Sequence, residues 1–244
     1  MNKIALVTGG SGGIGSAICQ DFSKKGYKVI ATAIPGKGKN WLKEQQEQGF
    51  NFNMVNVDVA DYNSCKKMAA EVREKFGSPD IIVNNAGITR DAPFKRMALE
   101  QWNEVIRTNL DSVFNVTHQF INDLLKKGWG RIINISSING QKGQFGQTNY
   151  AAAKAGLHGF TMSLAQETAR AGITVNTISP GYTATPMVTQ IREDILNKII
   201  AQIPMQRLAK TTEIAAITSF LASDEAAFIS GANVPVNGAQ FTSF

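Results

Sequence analysis

The sequence predicts one α/β domain over residues 1–244, a single doubly wound parallel β-sheet with helices on both faces. Short apolar runs alternate with helical patterns from one end of the chain to the other. No Pro/Gly/Ser-rich linker, internal repeat or low-complexity run divides them. The hydrophobic fraction of 43% is typical of a globular protein with a full core.

The elements follow in βα order. The predicted strands are residues 4–7, 28–32, 53–57, 80–84, 131–135, 174–178 and 233–236. The clearest predicted helices are residues 13–25, 61–76, 100–127, 149–171 and 212–222. Such sheets bind ligands beyond the carboxyl ends of their strands. The residues that follow each strand are therefore the candidates for chemistry.

Composition excludes several classes of function. The net charge is +6, but the lysine pairs lie in separate predicted helices, which favours solvated helix faces over a nucleic-acid surface. A general attraction for phosphorylated cofactors remains open. Cys19 and Cys65 have no metal-ligand spacing, so we expect free thiols and no metal. No run approaches the roughly 18 apolar residues of a membrane helix, and the first residues do not resemble a signal peptide. We expect a cytoplasmic protein with no membrane partner.

A glycine-rich turn follows the first strand and opens a helix. Glycines let the backbone approach a pyrophosphate, and the helix N-terminus offers free N–H groups. A tight turn without ligand is the alternative. The predicted cofactor contacts in this turn are Gly9, Ser11, Gly13, Ile14 and Gly15.

The end of the second strand indicates which nicotinamide cofactor binds. NAD enzymes usually carry an acid there for the ribose hydroxyls. Residues 31–39 contain no carboxylate, and they include Lys37 and Lys39. Lysine attracts a 2′-phosphate, so the sequence favours NADP(H), and either lysine could make the contact.

Tyr150 and Lys154 share one face of a predicted helix. Lowering a tyrosine pKa from about 10 toward 7 requires roughly 4 kcal/mol. An ammonium about 4 Å away at an effective dielectric near 20 supplies about that much. The pair could therefore act as an acid/base device. An ordinary exposed helix face is the alternative.

Two further polar residues are catalytic candidates. Ser137 ends the fifth strand, and its hydroxyl can donate to a developing alkoxide, whereas Ser136 should point to the other side. Asn109 lies in a predicted helix, where it could equally be a packing residue.

These residues together resemble the short-chain dehydrogenase/reductase family, and the resemblance spans nearly the whole chain. The matching features are Thr8-Gly9-x-x-x-Gly13-x-Gly15, Asp58 before a valine, Asn84-Asn85-Ala86-Gly87, Asn109, Ser137, Tyr150-x-x-x-Lys154, and Pro180-Gly181 with Thr185. The resemblance implies a Rossmann fold and an enzyme. Members of the family often have an Asp-Gly-Gly turn near the C-terminus. This chain has Asn237-Gly238-Ala239 there, which could alter a subunit contact or the edge of the pocket.

The resemblance also implies residue roles. Asn109 would help hold a water relay to Lys154, and Lys154 would bind the nicotinamide ribose. Thr185 would hold the carboxamide and Asp58 the adenine. The remaining implied cofactor contacts are Val59, Asn85, Ala86, Gly87, Tyr150, Pro180 and Gly181. Tetramers packed through the helix at 149–171, which is rich in small residues, are implied as well.

Within that family the chain most resembles reductases of acetoacetyl-CoA in polyhydroxybutyrate synthesis. The resemblance rests on residues 87–91, 130–150 and 179–182, of which residues 87–91 also occur in 3-oxoacyl-acyl-carrier-protein reductases. It implies an (R)-3-hydroxybutyryl product. Residues 139–149 contain three glutamines, one aromatic residue and no acid, which favours an uncharged thioester. A Gly-rich loop with solvated glutamines is the alternative. The predicted substrate contacts are Asp91, Gln144, Phe145, Gln147 and Tyr182.

Three other functions stay open. Reduction of a 3-oxoacyl group on an acidic acyl carrier protein would need a basic docking face. That subfamily tends to have arginines where this chain has Gly128 and Ala171, although Lys126, Lys127 and Arg170 lie nearby. A sugar-alcohol or steroid dehydrogenase would use the same machinery. A non-catalytic NADP-binding regulator would not need the serine, tyrosine, lysine and asparagine.

Overall fold

Seven parallel strands form one sheet in the computed structural model, which describes residues 3–242 of the chain. Their order across the sheet is β3-β2-β1-β4-β5-β6-β7. The strands are β1 Ile4–Val7, β2 Lys28–Ala33, β3 Asn53–Asn56, β4 Ile81–Asn84, β5 Gly130–Ile135, β6 Ile173–Pro180 and β7 Asn233–Val236. The predicted doubly wound α/β fold is confirmed.

Strand β1 lies inside the sheet, between β2 and β4. Leu6 pairs with Ile30 on one side and with Ile82 on the other. All three side chains are fully buried, because helices cover both faces of the sheet. The strand order changes direction between β1 and β4, and such a switch point opens a crevice at the carboxyl ends of the strands.

Ten α-helices are described within residues 3–242. They are α1 Gly13–Lys24, α2 Lys39–Glu47, α3 Tyr62–Phe76, α4 Leu99–Ile106, α5 Ser112–Lys127, α6 Asn139–Lys142, α7 Thr148–Thr168, α8 Pro186–Thr189, α9 Glu193–Ala201 and α10 Thr211–Leu221. None of them is both long enough and apolar enough to cross a membrane.

Local sequence signals set several helix ends. The Asp61 side chain accepts a hydrogen bond from the backbone N–H of Asn63 at 2.9 Å and so caps α3. Gly77 follows α3 with φ of 92° and Gly128 follows α5 with φ of 65°, a backbone region that glycine enters without steric penalty.

Each face of the sheet carries its own apolar core. Phe22 of α1 and Leu221 of α10 lie in one core, while Met68 of α3 and Phe120 of α5 lie in the other. Fully burying one such side chain stabilises the fold by about 1.5–3 kcal/mol. Cys19 and Cys65 are buried free thiols, and burial raises the pKa of Cys65 to about 12.

Two predicted helices differ from those observed. The helix predicted over 100–127 is interrupted by a π-helical turn at Arg107–Asp111, which separates α4 from α5. The helix predicted over 149–171 ends at Thr168, and a 3₁₀ turn follows it. The sequence pattern also did not single out α2, α6, α8 or α9. Helix α8 is too short to show a period, and α2 buries only Trp41 and Gln45.

Candidate active site

Several glycines in the turn after β1 are packed too tightly to be replaced by a residue with a Cβ atom. Gly9 has φ of 60°. A Cβ atom on Gly15 would overlap the Gly9 carbonyl oxygen and would lie 2.7 Å from Nδ2 of Asn85. Nδ2 of Asn85 donates to the carbonyl oxygens of Thr8 and Gly9 at 2.9 and 3.2 Å. The turn after β1 and the end of β4 therefore form one rigid unit.

Thr8 ties the same two segments together, and the sequence assigned it no role of its own. Its hydroxyl oxygen accepts the backbone N–H groups of Asn85 and Ala86 at 2.9 and 3.0 Å. A polar residue at the end of a buried apolar strand is the signal that could have identified it.

The other end of the crevice meets the glycine turn at Gly13. A Cβ atom on Gly13 would lie 2.9 Å from Cβ of Thr185, the residue that precedes α8. Gly181 donates its backbone N–H to the carbonyl oxygen of Val236 at 2.9 Å, which joins Pro180–Gly181 to the end of β7. Ser11 is half-buried in the turn. The fold thus brings Gly13, near the start of the chain, against Thr185, which lies far along it; both are predicted cofactor contacts.

The other predicted cofactor residues lie toward the β2–β3 edge. Lys37 and Lys39 are exposed. Asp58 is also exposed, and its carboxylate accepts the backbone N–H of Ala60 at 3.0 Å. Val59 is buried. Ile14 packs against the core on the α1 face of the sheet.

The crevice fits a phosphate-bearing dinucleotide. No side chain caps the N-terminus of α1 at Gly12, so its first N–H groups are available to an anion. Gly12 has the least crowded Cβ position of the turn, with only the Gly9 carbonyl oxygen nearby at 3.3 Å, which lets a pyrophosphate approach the backbone there.

Tyr150 and Lys154 lie one turn apart on α7. Nζ of Lys154 is 5.7 Å from the centroid of the Tyr150 ring and donates to the carbonyl oxygen of Ile135 at 2.7 Å. A Cβ atom on Gly87 would lie 3.5 Å from this Nζ and 3.0 Å from Oδ1 of Asn109. Gly87, Asn109 and Lys154 therefore meet at one point.

Asn109 is buried in the π-helical turn between α4 and α5. Its Oδ1 accepts the backbone N–H of Ile88, and its Nδ2 donates to the Ile88 carbonyl oxygen, both at 2.8 Å. The side-chain amide thus clamps the segment that follows β4. Turns of this kind are frequent at functional sites.

The two serines at the end of β5 point to opposite sides. Oγ of Ser137 accepts the backbone N–H of Asn139 at 3.1 Å. Oγ of Ser136 donates to the Lys154 carbonyl oxygen at 2.8 Å and lies 3.1 Å from Nε2 of His158. Only Ser137 is therefore available to a ligand on the Tyr150 side.

Burial controls the protonation of both α7 residues. It raises the pKa of Tyr150, the neighbouring Ser137 hydroxyl lowers that pKa, and the Asp91 charge raises it. Burial lowers the pKa of Lys154 to about 8. The expected lowering of the Tyr150 pKa by Lys154 is not found, because loss of hydration outweighs the other effects on the phenol.

The predicted substrate residues form a partly ordered wall. Nε2 of Gln147 donates to Oδ2 of Asp91 at 2.8 Å, and Tyr182 is half-buried. Burial is the main cause that raises the Tyr182 pKa, and the Asp91 charge is the second. The Asp91 charge therefore acts on both Tyr150 and Tyr182. Gln144 is exposed, and Phe145 is 86% exposed.

Asn139 is a site residue that sequence reasoning missed. Besides its backbone bond to Ser137, its Nδ2 donates to Oε1 of Gln147 at 2.8 Å. It belongs to no spacing motif. Its position two residues beyond Ser137, in a segment that borders the site, was the available signal.

Comparison with known proteins places these features in a family. A family model described as short chain dehydrogenase matches residues 3–196. An acetoacetyl-CoA reductase of Cupriavidus necator is 54% identical over 238 residues, 97% of each chain. One from Allochromatium vinosum is 52% identical over 244 residues, 99% of each chain. A 3-oxoacyl-acyl-carrier-protein reductase of Escherichia coli is 46% identical over 239 residues, 98% of this chain and 97% of the other.

Proposed function

The chain belongs to the short-chain dehydrogenase family, and from that premise we propose that it reduces acetoacetyl-CoA with NADPH to (R)-3-hydroxybutyryl-CoA. The observation that carries the proposal is that Nζ of Lys154 lies 5.7 Å from the ring of Tyr150 and that the Ser137 hydroxyl acts on the same phenol, beside the wall of residues 139–149. The similarity to reductases named for acetoacetyl-CoA supports the substrate. The product configuration rests on the family resemblance alone.

Tyr150 acts as the general acid in this proposal. Its raised pKa keeps the phenol protonated at neutral pH, so that it can give a proton to the C3 carbonyl oxygen. Ser137 stabilises the same oxygen as negative charge develops. Because the N–H of Asn139 occupies one lone pair of the Ser137 hydroxyl, the O–H bond is directed away from Asn139 and is available to the substrate.

Lys154 and Asn109 return the proton to Tyr150. With a pKa of about 8, the Lys154 ammonium can release and regain a proton near neutral pH. Asn109 holds the Ile88 backbone in place at this point, so that a water relay can reach Lys154. Lys154 also binds the nicotinamide ribose. When bound, NADPH supplies the hydride.

NADP(H) rather than NAD(H) is proposed because of the segment after β2. The strand ends at Ala33 without an acid, and the exposed Lys37 and Lys39 follow. Either ammonium can pair with a 2′-phosphate. Gly9, Gly13, Gly15, Asn85 and Thr185 line the remaining length of the cofactor.

The CoA thioester is proposed to lie along Gln144, Phe145, Gln147, Tyr182 and Asp91. Phe145 and Gln144 are exposed, which leaves them free to cover a pantetheine arm. Gln147 has further hydrogen-bonding capacity beyond its contacts with Asp91 and Asn139.

A cytoplasmic homotetramer is part of the proposal. Ala152, Ala155 and Gly159 are exposed along one side of α7, and small residues there allow a second α7 helix to approach closely. Two buried free thiols suit a reducing compartment. Light scattering of the purified protein measures its mass and tests the tetramer.

A 3-oxoacyl-acyl-carrier-protein reductase is the second candidate, favoured by the Escherichia coli relative and by exposed Lys126 and Arg170. Comparing kcat/KM for acetoacetyl-CoA and acetoacetyl-carrier protein separates the two. The proposal predicts a preference for CoA that survives Lys126→Ala/Arg170→Ala. A clear preference for the carrier-bound substrate, lost in that double variant, would establish the second function instead.

A further inference from the structure

Asp91 holds a negative charge in a defined position beside the site. Its carboxylate is exposed and accepts Nε2–H of Gln147 at 2.8 Å. The next residue, Ala92, donates its backbone N–H to the carbonyl oxygen of Gly146 at 2.9 Å. Segments 91–92 and 146–147 are therefore joined through both side chain and backbone, which restricts the movement of the carboxylate.

A chain of hydrogen bonds connects this carboxylate to the reacting centre. Oε1 of Gln147 accepts Nδ2–H of Asn139 at 2.8 Å, and the backbone N–H of Asn139 donates to Oγ of Ser137 at 3.1 Å. Because Gln147 is held at both ends of its amide, the separation between Asp91 and Ser137 is set by the fold. The charge that acts on both Tyr150 and Tyr182 agrees with this placement.

No ion pair among residues 3–242 neutralises Asp91. The adjacent Arg90 is paired with Glu104 at 2.7 Å, and Nζ of Lys142 lies 3.5 Å from Oε1 of Gln144. The site thus presents a carboxylate whose field is not cancelled by a contacting cation.

We propose that Asp91 determines substrate class by excluding 3-oxo acids that carry a free carboxylate, so that only uncharged 3-oxoacyl esters and thioesters are reduced. This rests on the proposed function. With the C3 carbonyl at Ser137 and Tyr150, the C1 group of the substrate lies two bonds from C3. In a free acid that group is an anion, which the Asp91 carboxylate repels. In a thioester it is a neutral carbonyl, which Gln147 can contact.

The test compares acetoacetate with methyl acetoacetate, which carry the same ketone and differ in charge at C1. The Asp91→Asn variant keeps the side-chain size and can still accept from Gln147. We expect it to raise kcat/KM for acetoacetate relative to the ester by about tenfold, equivalent to about 1.4 kcal/mol. Glu47→Gln carries the same charge change on the exposed end of α2 and should leave the ratio unaltered.

Binding supplies a readout that does not need turnover. Competition by each compound against acetoacetyl-CoA, followed through the fluorescence of bound NADPH, gives the same ratio even where Asp91→Asn is slow. An unchanged ratio in both turnover and binding would overturn the assignment. Failure of the parent protein to reduce acetoacetyl-CoA would refute the proposed function, while the two binding ratios would still decide the role of Asp91.

Discussion

The Nζ atom of Lys154 lies 5.7 Å from the ring centroid of Tyr150, one turn along α7. Burial shifts the two pKa values in opposite directions, since it raises the pKa of the phenol and lowers the pKa of the ammonium to about 8. At neutral pH the phenol keeps its proton, and the lysine is close to releasing one. In the proposed mechanism, Tyr150 therefore donates the proton and Lys154 replaces it.

Lys154→Met should abolish activity and weaken NADPH binding, yet stabilise the fold at pH 7. The buried ammonium loses hydration in the folded state, and methionine removes that cost. The pKa of Lys154 is about 8 in the folded state, below the ordinary value of 10.5. Between pH 8 and pH 10.5 the unfolded chain therefore holds more of the lysine protons than the folded chain does. The contribution of Lys154 to stability therefore rises with pH, by about 1 kcal/mol from pH 7 to pH 9.

Urea denaturation of the parent and Lys154→Met at both pH values measures this difference. The advantage of the variant should shrink as the pH rises. An advantage that grows with pH, or a variant less stable at pH 7, would show that the ammonium is stabilised rather than penalised by its surroundings.

The double variant Lys37→Ala/Lys39→Ala should lose its preference for NADPH. Both lysines are exposed after β2, and removing their charges takes away the attraction for a 2′-phosphate, while NADH binding stays the same. Each lost contact should reduce NADPH affinity by about three- to tenfold. The ratio of kcat/KM for NADPH and NADH measures the effect. Lys66→Ala/Lys67→Ala, an exposed pair on α3, serves as the control. An unaltered ratio would place the phosphate elsewhere.

Gln147→Ala should raise the KM for acetoacetyl-CoA by about two- to tenfold, the loss expected for one or two hydrogen bonds. The variant also releases Asp91 and Asn139 from their shared partner. NADPH affinity should not change, because none of these contacts involves the glycine turn. Gln46→Ala, exposed on α2, is the control. A change in NADPH affinity with an unaltered KM would assign Gln147 to the cofactor side.

Ala239→Gly should stabilise the protein by about 0.5–1 kcal/mol. Ala239 has φ of 64°, a left-handed conformation that costs a residue with a Cβ atom about 1–2 kcal/mol. Part of that gain is offset by the greater chain entropy of glycine in the unfolded state. Denaturant midpoints provide the measurement. Ala216→Gly, at an exposed position of α10, should destabilise the fold instead.

The parts of the fold that the sequence predicts are those with a regular period. The run Ile4–Val7 is apolar throughout because helices cover both sides of β1, and it was predicted as a buried strand. The spacing of Tyr150 and Lys154 follows from the helical turn. Both features can be identified from residues that are close together in the sequence.

The remaining features depend on tertiary packing, which spacing does not encode. The π-helical turn around Asn109 accompanies its clamp on Ile88, a residue from another segment. The role of Asn139 follows from its hydrogen bonds with Ser137 and Gln147, which only the folded structure shows. The spacing of the pair predicts a lowered Tyr150 pKa, which is wrong because burial of the phenol, which spacing does not encode, raises that pKa.

The rate of NADPH oxidation with acetoacetyl-CoA, measured side by side for the parent and Tyr150→Phe, tests the account most directly. The parent should turn over and release (R)-3-hydroxybutyryl-CoA. The variant keeps the ring and loses only the acidic proton, so its rate should fall by about 10²- to 10⁴-fold while NADPH affinity remains the same. Tyr27→Phe, which alters a phenol packed against Phe22 in the α1-side core, should retain full activity. Near-normal turnover by Tyr150→Phe, or no turnover by the parent, would contradict the account.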